Sequence, residues 1–461
     1  MVAMILVWFS YIPCAYSSPR DPQLSSAVDY NRGDNDMDPR AWLAGAYGVF
    51  VSNVAVWALS RYGFQQDWAM ISRSTVLDNF EHGFVFDTDS FLANGVGHPY
   101  HGSIYFQAGR AAGLSFVPSA LLTFAGSLQW ELFMENMYPS INDLVNTTLA
   151  GIALGEMSVR LTNLVVDDGS QGWSRVLREL TGTAMAPAYG LGRGVQGKWF
   201  YPGPSPQRPP FGFALESGPY VSGGRDFPTE LSGVVALRAA YDDVANVRGE
   251  VPFEHFSLAA DAAAAPWLES SRVDAEGELW GGRVSLASSR DTLVAAAMGY
   301  DLVRSRAIKF SGAEVGAGLY LTERARRSRR LDVHARVFYL PVGSISPETP
   351  FQKDMRDYSF GTGAIGKLLL EYRSKPARLF VDLDQAWLHV LDGPPGNEFA
   401  SFSRAGAEVS LGAGFHLSAV VDETTRRHPF ASLFGSSNAL IGAQALIGWS
   451  GEWRGTTSGN R

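Results

Sequence analysis

Between residues 98 and 160, polar and charged side chains interrupt an otherwise apolar stretch, and they have the greatest capacity for chemistry in the chain. His98 could act as a general base or bind a metal. Glu131 and Asp143 could support it as acid or base. We take these three as the candidate catalytic residues. The polar cluster expected around them comprises His101, Glu135, Asn142, Asn146, Glu156 and Arg160.

The same residues also have a structural interpretation. Glu131 and Glu135 lie one helical turn apart, so both carboxylates project from one face, where a cation could neutralise them. Asn142 and Asp143 follow Ser140 and suit the N-terminal cap of a helix. Because an unpaired polar group is costly in an apolar setting, these side chains either pair with one another or line a cavity. Enzymatic activity is therefore left open.

Several function classes find no support in the sequence. It contains no Gly-x-Ser-x-Gly elbow, no phosphate-binding loop and no His-Glu-x-x-His motif. The formal net charge of −8 argues against nucleic acid as a partner, since such binding relies on a cationic surface. We expect no cofactor and no bound metal.

Helices must position the polar cluster. The segment Ala41–Ser60 carries no charge and is long enough to cross a membrane, but its Ala, Gly, Ser and Asn content favours a buried helix of a compact bundle. Further helices are predicted at about 104–114, 118–137 and 140–166, which makes about four. Gly151 and Gly155 lie one turn apart and would allow a partner helix to approach closely.

The chain begins with an apolar run that ends in small residues, so residues 1–18 are interpreted as a signal peptide. Cys14, the single cysteine, is either a lipidation site or a residue removed with the signal. A polar linker is expected at 19–40 and the helical module at 41–180. A connector rich in Gly and Pro is expected at 181–225, with a strand only around Phe211–Ser217.

Residues 226–461 are predicted to form an antiparallel β-barrel. Ten strand candidates lie there, and allowing for missed strands we expect about 10–12. Apolar and polar residues alternate from Ala405 to Val421, as in a long membrane-spanning strand. Hydrophobic residues make up 46% of the chain and charged residues 18%, which suits a barrel that faces lipid. The expected lumen-lining residues are Asp382, Asp384 and His416.

The helical region resembles two known groups. Glu131, Asp143, Asn146, Gly151 and Gly155 resemble the helical core of VanZ-like families, although Met134 stands where those families have Gln. A longer block resembles a bacterial domain-of-unknown-function family in which a helical module accompanies a β-rich, outer-membrane portion. Its matching positions are Asn94, His98-Pro99, Gly102, Trp130-Glu131, Pro139-Ser140, Asn142-Asp143 and Gly155-Glu156. Neither resemblance implies a catalytic assignment.

The predicted fold is thus α+β, with an N-terminal helical module followed by a transmembrane β-barrel in the bacterial outer membrane. We expect a structural role, or the handling of envelope lipid or a small molecule, with the module plugging the lumen or docking at its periplasmic mouth. One alternative is an envelope hydrolase or transferase that acts on lipid or peptidoglycan through His98, Glu131 and Asp143. Another is a passive pore. Outer-membrane lipid is the expected partner.

Overall fold

The computed structural model describes residues 35–206, 208–264, 270–287, 290–325, 329–347, 351–426 and 439–453. The predicted signal peptide, with Cys14, lies outside this part of the chain. The chain divides into two compact units. The barrel unit consists of Phe86–His98 and Pro209–Arg454, and the helical unit contains the described residues up to Val85 together with Pro99–Arg208.

The described part of the N-terminal half contains seven α-helices rather than about four. Their bounds are α1 Pro39–Ala58, α2 Arg73–His82, α3 His98–Ala111, α4 Phe116–Phe133, α5 Ile141–Val165, α6 Gly172–Met185 and α7 Pro187–Val195. Three of these helices were not predicted. α2 is polar and begins with a capping box at Ser72. α6 has apolar residues at helical spacing, Trp173, Val176, Leu177 and Leu180, that could have indicated it, whereas α7 is short and rich in Gly.

Small residues let the helices of this unit approach closely. A Cβ on Gly102 would lie 1.8 Å from the carbonyl oxygen of Thr147, and one on Gly155 would lie 2.6 Å from Cβ of Phe106. The same holds between α1 and α4, where a Cβ on Gly126 would lie 2.6 Å from a methyl carbon of Val49. The expectation that α5 begins at a Ser140 cap is also met, since Ser140 Oγ accepts from the backbone N–H of Asp143 at 3.2 Å.

The second half forms a closed antiparallel barrel of twelve strands in which each strand pairs with its sequence neighbours and β1 pairs with β12. The fold class and the upper end of the predicted strand count are therefore confirmed. The strands are β1 Phe211–Gly224, β2 Phe227–Tyr241, β3 Phe256–Ala264, β4 Ser270–Ala287, β5 Arg290–Arg304, β6 Lys309–Ala325, β7 Arg329–Ile345, β8 Ser359–Ser374, β9 Ala377–Asp392, β10 Asn397–Gly412, β11 Phe415–Arg426 and β12 Ala439–Trp453.

The alternating stretch Ala405–Val421 is a hairpin and not one long strand. Ala413 and Gly414 join β10 to β11 with φ angles of 51° and 83°, the left-handed conformation that tight hairpin turns require. The register pairs Val409 with Leu417, so the apolar residues of both strands stay on one face. The alternation of apolar and polar residues therefore continues through the turn. For this reason the sequence pattern alone does not show where β10 ends and β11 begins.

The predicted connector 181–225 also contains regular structure. Helix α7 begins at Pro187, whose fixed φ suits the first helical turn. Strand β1, Phe211–Gly224, contains the short strand expected at Phe211–Ser217. It lies ahead of the predicted barrel start at residue 226 and closes the barrel by pairing with β12.

Large apolar side chains form the outward face of the barrel, while their neighbours in sequence point inward and are buried. Along β11, for example, Leu417 is exposed and Ser418 is buried. Exposed apolar residues occur around the whole barrel, and they include Leu215, Leu231, Val337, Leu379, Val409, Leu417, Ile447 and Trp449. An apolar exterior with a polar interior is the arrangement of a transmembrane β-barrel.

Candidate functional sites

The side chain of Lys367, on β8, points into the barrel lumen. Its side chain is fully buried, and its Nζ lies 2.7 Å from Glu314, 2.9 Å from Asp301, 3.5 Å from Asp274 and 3.9 Å from Glu276. These carboxylates come from β4, β5 and β6, none of which is adjacent to β8 in the barrel. The ion pairs therefore cross the lumen, and we call this group the lysine lattice.

Two arginines extend the lysine lattice. Arg336 on β7 donates to Glu276 at 2.8 Å, and Tyr320 donates to the other oxygen of that carboxylate at 3.0 Å. Arg272 on β4 reaches across to β9, where it lies 2.5 Å from Asp384 and 3.7 Å from Asp382. The structure thus places Asp382 and Asp384 at the lumen wall opposite β4.

Apolar side chains fill the lumen next to the lysine lattice. Phe310, Phe338, Leu340, Leu388 and Phe402 belong to one buried cluster contributed by strands from β5 to β10. Phe310 and Phe402 lie 5.2 Å apart between ring centroids. Such a layer excludes water from this part of the lumen, because it contains no polar group that water could bond.

The connection between β2 and β3 folds into the lumen at the end of the barrel where β1 begins and β12 ends. Its Val244 and Val247 pack against Leu293 and Ala295 of β5. Asp243 is held by Arg330 at 2.8 Å and by the backbone N–H of Ala245 at 3.0 Å. Burial alone would raise the pKa of Asp243, but these hydrogen bonds lower it to about 2.

His416 belongs to a second lumen group. Its Nε2 lies 3.2 Å from Glu216, and both side chains meet over Gly448, where a Cβ would lie 2.3 Å from the imidazole. With Glu408, these residues could offer three metal-ligand atoms within 4.8 Å of one another. Arg238, however, pairs with Glu216, and Arg378 pairs with Glu408 at 3.2 Å. The carboxylates are therefore neutralised by protein cations.

The segment Phe86–His98 belongs to the barrel unit although helices precede and follow it in the sequence. Asn94 donates to the hydroxyl of Tyr358 at 2.6 Å, and that hydroxyl donates to the carbonyl of Asp89 at 3.0 Å. Tyr300 donates to the carbonyl of Gly95, and Phe86 stacks on Phe360. This docking was not predicted, although the aromatic residues in an otherwise polar loop could have indicated it.

His98 ends this docked segment and begins α3. Burial lowers the pKa of His98, and the carboxylates of Asp87 and Asp89 oppose that shift. The other two candidate catalytic residues, Glu131 and Asp143, belong to the helical unit. A catalytic role for the three residues stays a prediction.

In the helical unit, Glu131 and Asp143 form one hydrogen-bonded chain at the start of α5. The backbone N–H of Ser140 donates to Glu131 Oε2 at 2.7 Å. Ser140 Oγ donates to Asn142 at 2.7 Å, and the Asn142 amide donates to Asp143 at 3.0 Å. All four side chains are buried. This geometry is that of a helix cap, in which the polar groups satisfy one another and the backbone.

The remaining members of the predicted polar cluster lie on α3, on α5 and on the turn after α4. Glu156 pairs with Arg160 at 2.7 Å and with Arg110 at 3.1 Å. His101 lies 3.3 Å from the hydroxyl of Tyr105 through Nδ1. Asn146 is buried, and Glu135, on the turn after α4, is only partly buried. The cluster is thus distributed along α3, α4 and α5.

Sequence reasoning missed Lys367 and its carboxylate partners. A signal was present, because Lys367 is the single charged residue in the segment 363–370, which otherwise consists of apolar residues and glycine. If such a lysine points into a barrel lumen, buried carboxylates must neutralise it. Which carboxylates supply them depends on strand order across the barrel.

Comparison with protein families confirms the predicted resemblance to a domain-of-unknown-function family. Residues 83–188 match the model described as "Domain of unknown function (DUF3943)". A comparison with curated protein sequences gave no significant match. The resemblance to VanZ-like families stays a prediction.

Among solved structures, the barrel is similar to bacterial outer-membrane channels at low identity. The NanC porin is 9% identical, with 51% of this chain and 98% of that chain covered and a TM-score of 0.29. An outer membrane channel from Pseudomonas putida F1 is 8% identical, with 54% and 96% covered and a TM-score of 0.29. The CymD monoaromatic hydrocarbon channel is 9% identical, with 54% and 89% covered and a TM-score of 0.22. These values carry no inference about what this chain transports or binds.

Proposed function

We propose that this chain is a bacterial outer-membrane β-barrel protein whose lumen is closed at rest and whose barrel anchors the DUF3943-type helical unit in the envelope. The observation that carries the proposal is the lysine lattice. Charged side chains from different walls of the barrel meet at Lys367. In an open pore, water would occupy that part of the lumen. The apparent signal peptide supports export.

Three further features support a closed state. The apolar layer around Phe310 and Phe402 would resist wetting. Arg404 on β10 bridges to Asp261 on β3 at 2.5 Å, which adds a second crossing of the lumen. The inward-folded Val244 and Val247 narrow the barrel end where β2 and β3 are joined. A passive pore is therefore less well supported than a closed barrel.

The lumen also contains a small polar recess. It has room for about one water molecule and is lined by side chains of both charge signs. They include Tyr220, Asp261, Arg272, Arg404, Asp422 and Gln444. The recess is too small for a drug-sized ligand, and its polarity favours water or a small ion over a hydrocarbon.

Conductance in planar lipid bilayers tests the closed lumen. We expect the wild-type protein to show little steady conductance, and a variant that combines Lys367→Ala with Arg272→Ala to conduct more, because both cross-lumen contacts are lost. Lys375→Ala, an exposed lysine in the β8–β9 turn, is the matched control and should behave as wild type. A steady ohmic conductance of the wild-type protein, unchanged in the double variant, would establish a passive pore instead.

The enzyme alternative is tested by single substitutions in the full-length protein. Glu131→Gln removes a charge but keeps one acceptor oxygen for the Ser140 N–H, and His98→Ala removes the candidate base. If either variant folds and reaches the membrane with an altered lipid or peptidoglycan profile, catalysis is supported. If both leave those profiles unchanged, or fail to fold, the structural interpretation holds.

A further inference from the structure

The helical unit exposes many large apolar side chains, and its interior combines apolar clusters with many buried polar side chains. Its interior is rich in buried polar side chains, including Asn53, Gln107, Glu131, Asp143, Glu156, Arg160 and Arg193. Its exterior, in the described residues, carries large exposed apolar side chains on several helices. A soluble domain normally shows the reverse, with charged residues outside and apolar ones within.

Helix α6 shows most clearly this combination of exposed apolar and buried polar side chains. Trp173 and Leu177 are 80% and 62% exposed, and with Val176 and Leu180 they form one apolar face at helical spacing. The opposite face is polar and buried. There Glu179 pairs with Arg193 at 2.7 Å, and Arg175 donates to the carbonyls of Trp199 and Asp168 at 2.8 and 2.7 Å.

The contacts of Arg175 also hold the chain after α7 beside α6. The guanidinium bonds the carbonyls of Lys198 and Tyr201 as well as that of Trp199. Phe200 and Tyr201 are both strongly exposed. Together with the apolar face of α6, they make a surface rich in aromatic residues, and Trp and Tyr are enriched where proteins meet the membrane interface.

Helices α1 and α4 repeat the pattern. In α4, Val117, Leu121 and Phe124 are exposed, whereas Ser119 and Thr123 are buried. In α1, Leu43 and Phe50 are exposed, and the buried positions are Ala41, Gly45, Val49 and Asn53. The segment Pro39–Gly63 is the one helix in the described residues that is long and apolar enough to cross a membrane by length and composition, and only 22% of its most apolar window is buried. One face of α1 is packed and the other is exposed, so the expected burial holds for one face only.

Packing inside the unit fits an apolar surrounding. Where the solvent is hydrocarbon, helices associate through small residues that allow close backbone approach and through polar side chains that bond internally. The Gly102–Thr147 and Gly126–Val49 contacts are examples of close approach through small residues. The Glu156–Arg160 pair is an example of polar side chains that bond inside the unit. Buried polar residues are then the expected partners of one another.

We infer that α1, α4 and α6 present their exposed apolar faces to lipid acyl chains, so that the helical unit is itself a lipid-contacting body. The inference rests in part on the proposed function, since it requires that the barrel reside in a bilayer. Residues 202–210 connect Tyr201 to the start of β1, a length of chain that spans at most about 36 Å when extended.

Lipid quenching of single labels tests this inference in the full-length protein. The only cysteine in the sequence is removed by Cys14→Ala, and single cysteines are placed at Leu121→Cys in α4 and Leu177→Cys in α6. Each is labelled with the environment-sensitive dye NBD, and the protein is reconstituted in phosphatidylcholine vesicles. The readouts are quenching by brominated acyl chains and quenching by aqueous iodide.

Two further labels serve as references. Leu417→Cys lies on the outward face of β11, and Glu81→Cys is an exposed polar position at the end of α2 in the same helical unit. We expect the labels at 121 and 177 to be quenched by brominated lipid to an extent comparable with 417, while the label at 81 responds to iodide.

Labels at 121 and 177 that respond like the label at 81 would overturn the inference. Protection from both agents would also overturn it, because a second copy, another protein or residues 1–34 would then cover these faces. If the label at 417 also escapes brominated lipid, the barrel assignment itself fails. If only 121 and 177 escape, the barrel stands and the lipid contact of the helices is rejected.

Discussion

Lys367 is the residue on which the closed lumen depends most. Substitution by Met would leave Asp274, Asp301 and Glu314 without their shared cation while they stay buried. Removing one partner of a buried ion pair costs about 3–5 kcal/mol, so the free energy of unfolding should fall by about that amount. Urea unfolding of the detergent-solubilised protein measures it.

The matched control for this substitution is Lys375→Met. Lys375 is exposed in the turn between β8 and β9, so its loss should change the free energy of unfolding by less than about 0.5 kcal/mol. Equal effects at positions 367 and 375 would show that the lysine lattice contributes nothing to the stability of the barrel.

Asp243 predicts a pH dependence for the β2–β3 connection. Its pKa in the folded protein is lowered to about 2, below the ordinary 3.8, because Arg330 and Ala245 bond the ionised carboxylate. The stabilisation is therefore fully present above about pH 4 and is lost as the pH falls towards 2. With discounting for partial exposure, we expect it to amount to about 1–2 kcal/mol.

Protease cleavage within residues 242–255, measured against pH with an acid-stable protease, tests this expectation. In the wild type, cleavage should increase as the pH falls from 4 to 2, whereas Asp243→Asn should already be cleaved readily at pH 5 and change little below it. Glu250→Gln, an exposed position on the same connection, is the control. A wild-type profile that is flat down to pH 2 would contradict the assignment.

At the scale of elements, the β10–β11 turn explains why the hairpin was mistaken for one strand. Ala413 adopts a φ of 51°, which costs an L-residue about 1 kcal/mol, and Gly414 adopts a φ of 83° beside the carbonyl of Ser450. Ala413→Gly should therefore stabilise the barrel, and Gly414→Val should destabilise it. Thermal unfolding in detergent compares the two variants, and effects of the same sign would contradict this turn geometry.

The contact between α3 and α5 gives a second prediction about elements. A Cβ on Gly102 would lie 1.8 Å from the carbonyl oxygen of Thr147, so Gly102→Ala must push the helices apart, at a cost of about 1–3 kcal/mol or more. Gly97→Ala is the control, because nothing lies within 4 Å of its Cβ position. Helical circular dichroism followed during heating should show a lower transition for the first variant only. Equal transitions would rule out the close contact.

At the scale of the whole molecule, local sequence patterns predicted the β-barrel better than they predicted the lysine lattice or the docked segment. Alternation identifies strands such as Phe360–Tyr372 because each side chain has one of two faces. The lysine lattice joins β8 to β4, β5 and β6, and these contacts follow from barrel closure, which no local window contains. The docked segment Phe86–His98 was missed for the same reason, since its partners Tyr300 and Tyr358 lie far along the chain.

The sequence predicts which residues form the polar cluster, but it does not predict whether they act in catalysis or cap a helix. Glu131 and Asp143 have the residue types of a catalytic pair, and Ser140 between them supplies a capping explanation that needs no substrate. Both interpretations require buried polar groups on helices, so residue type and spacing do not separate them. The hydrogen bonds of Ser140 are those of a helix cap, and a catalytic role for Glu131 and Asp143 stays a prediction.

The most direct test of the transmembrane barrel is the accessibility of successive positions along β11. Single cysteines at positions 417, 419 and 421 should be quenched by brominated acyl chains, because these side chains point outward, whereas positions 418 and 420 point into the lumen and should not be. The account predicts a strict alternation with a period of two. Uniform quenching along the strand, or none at any position, would contradict a barrel with an apolar exterior and a polar lumen.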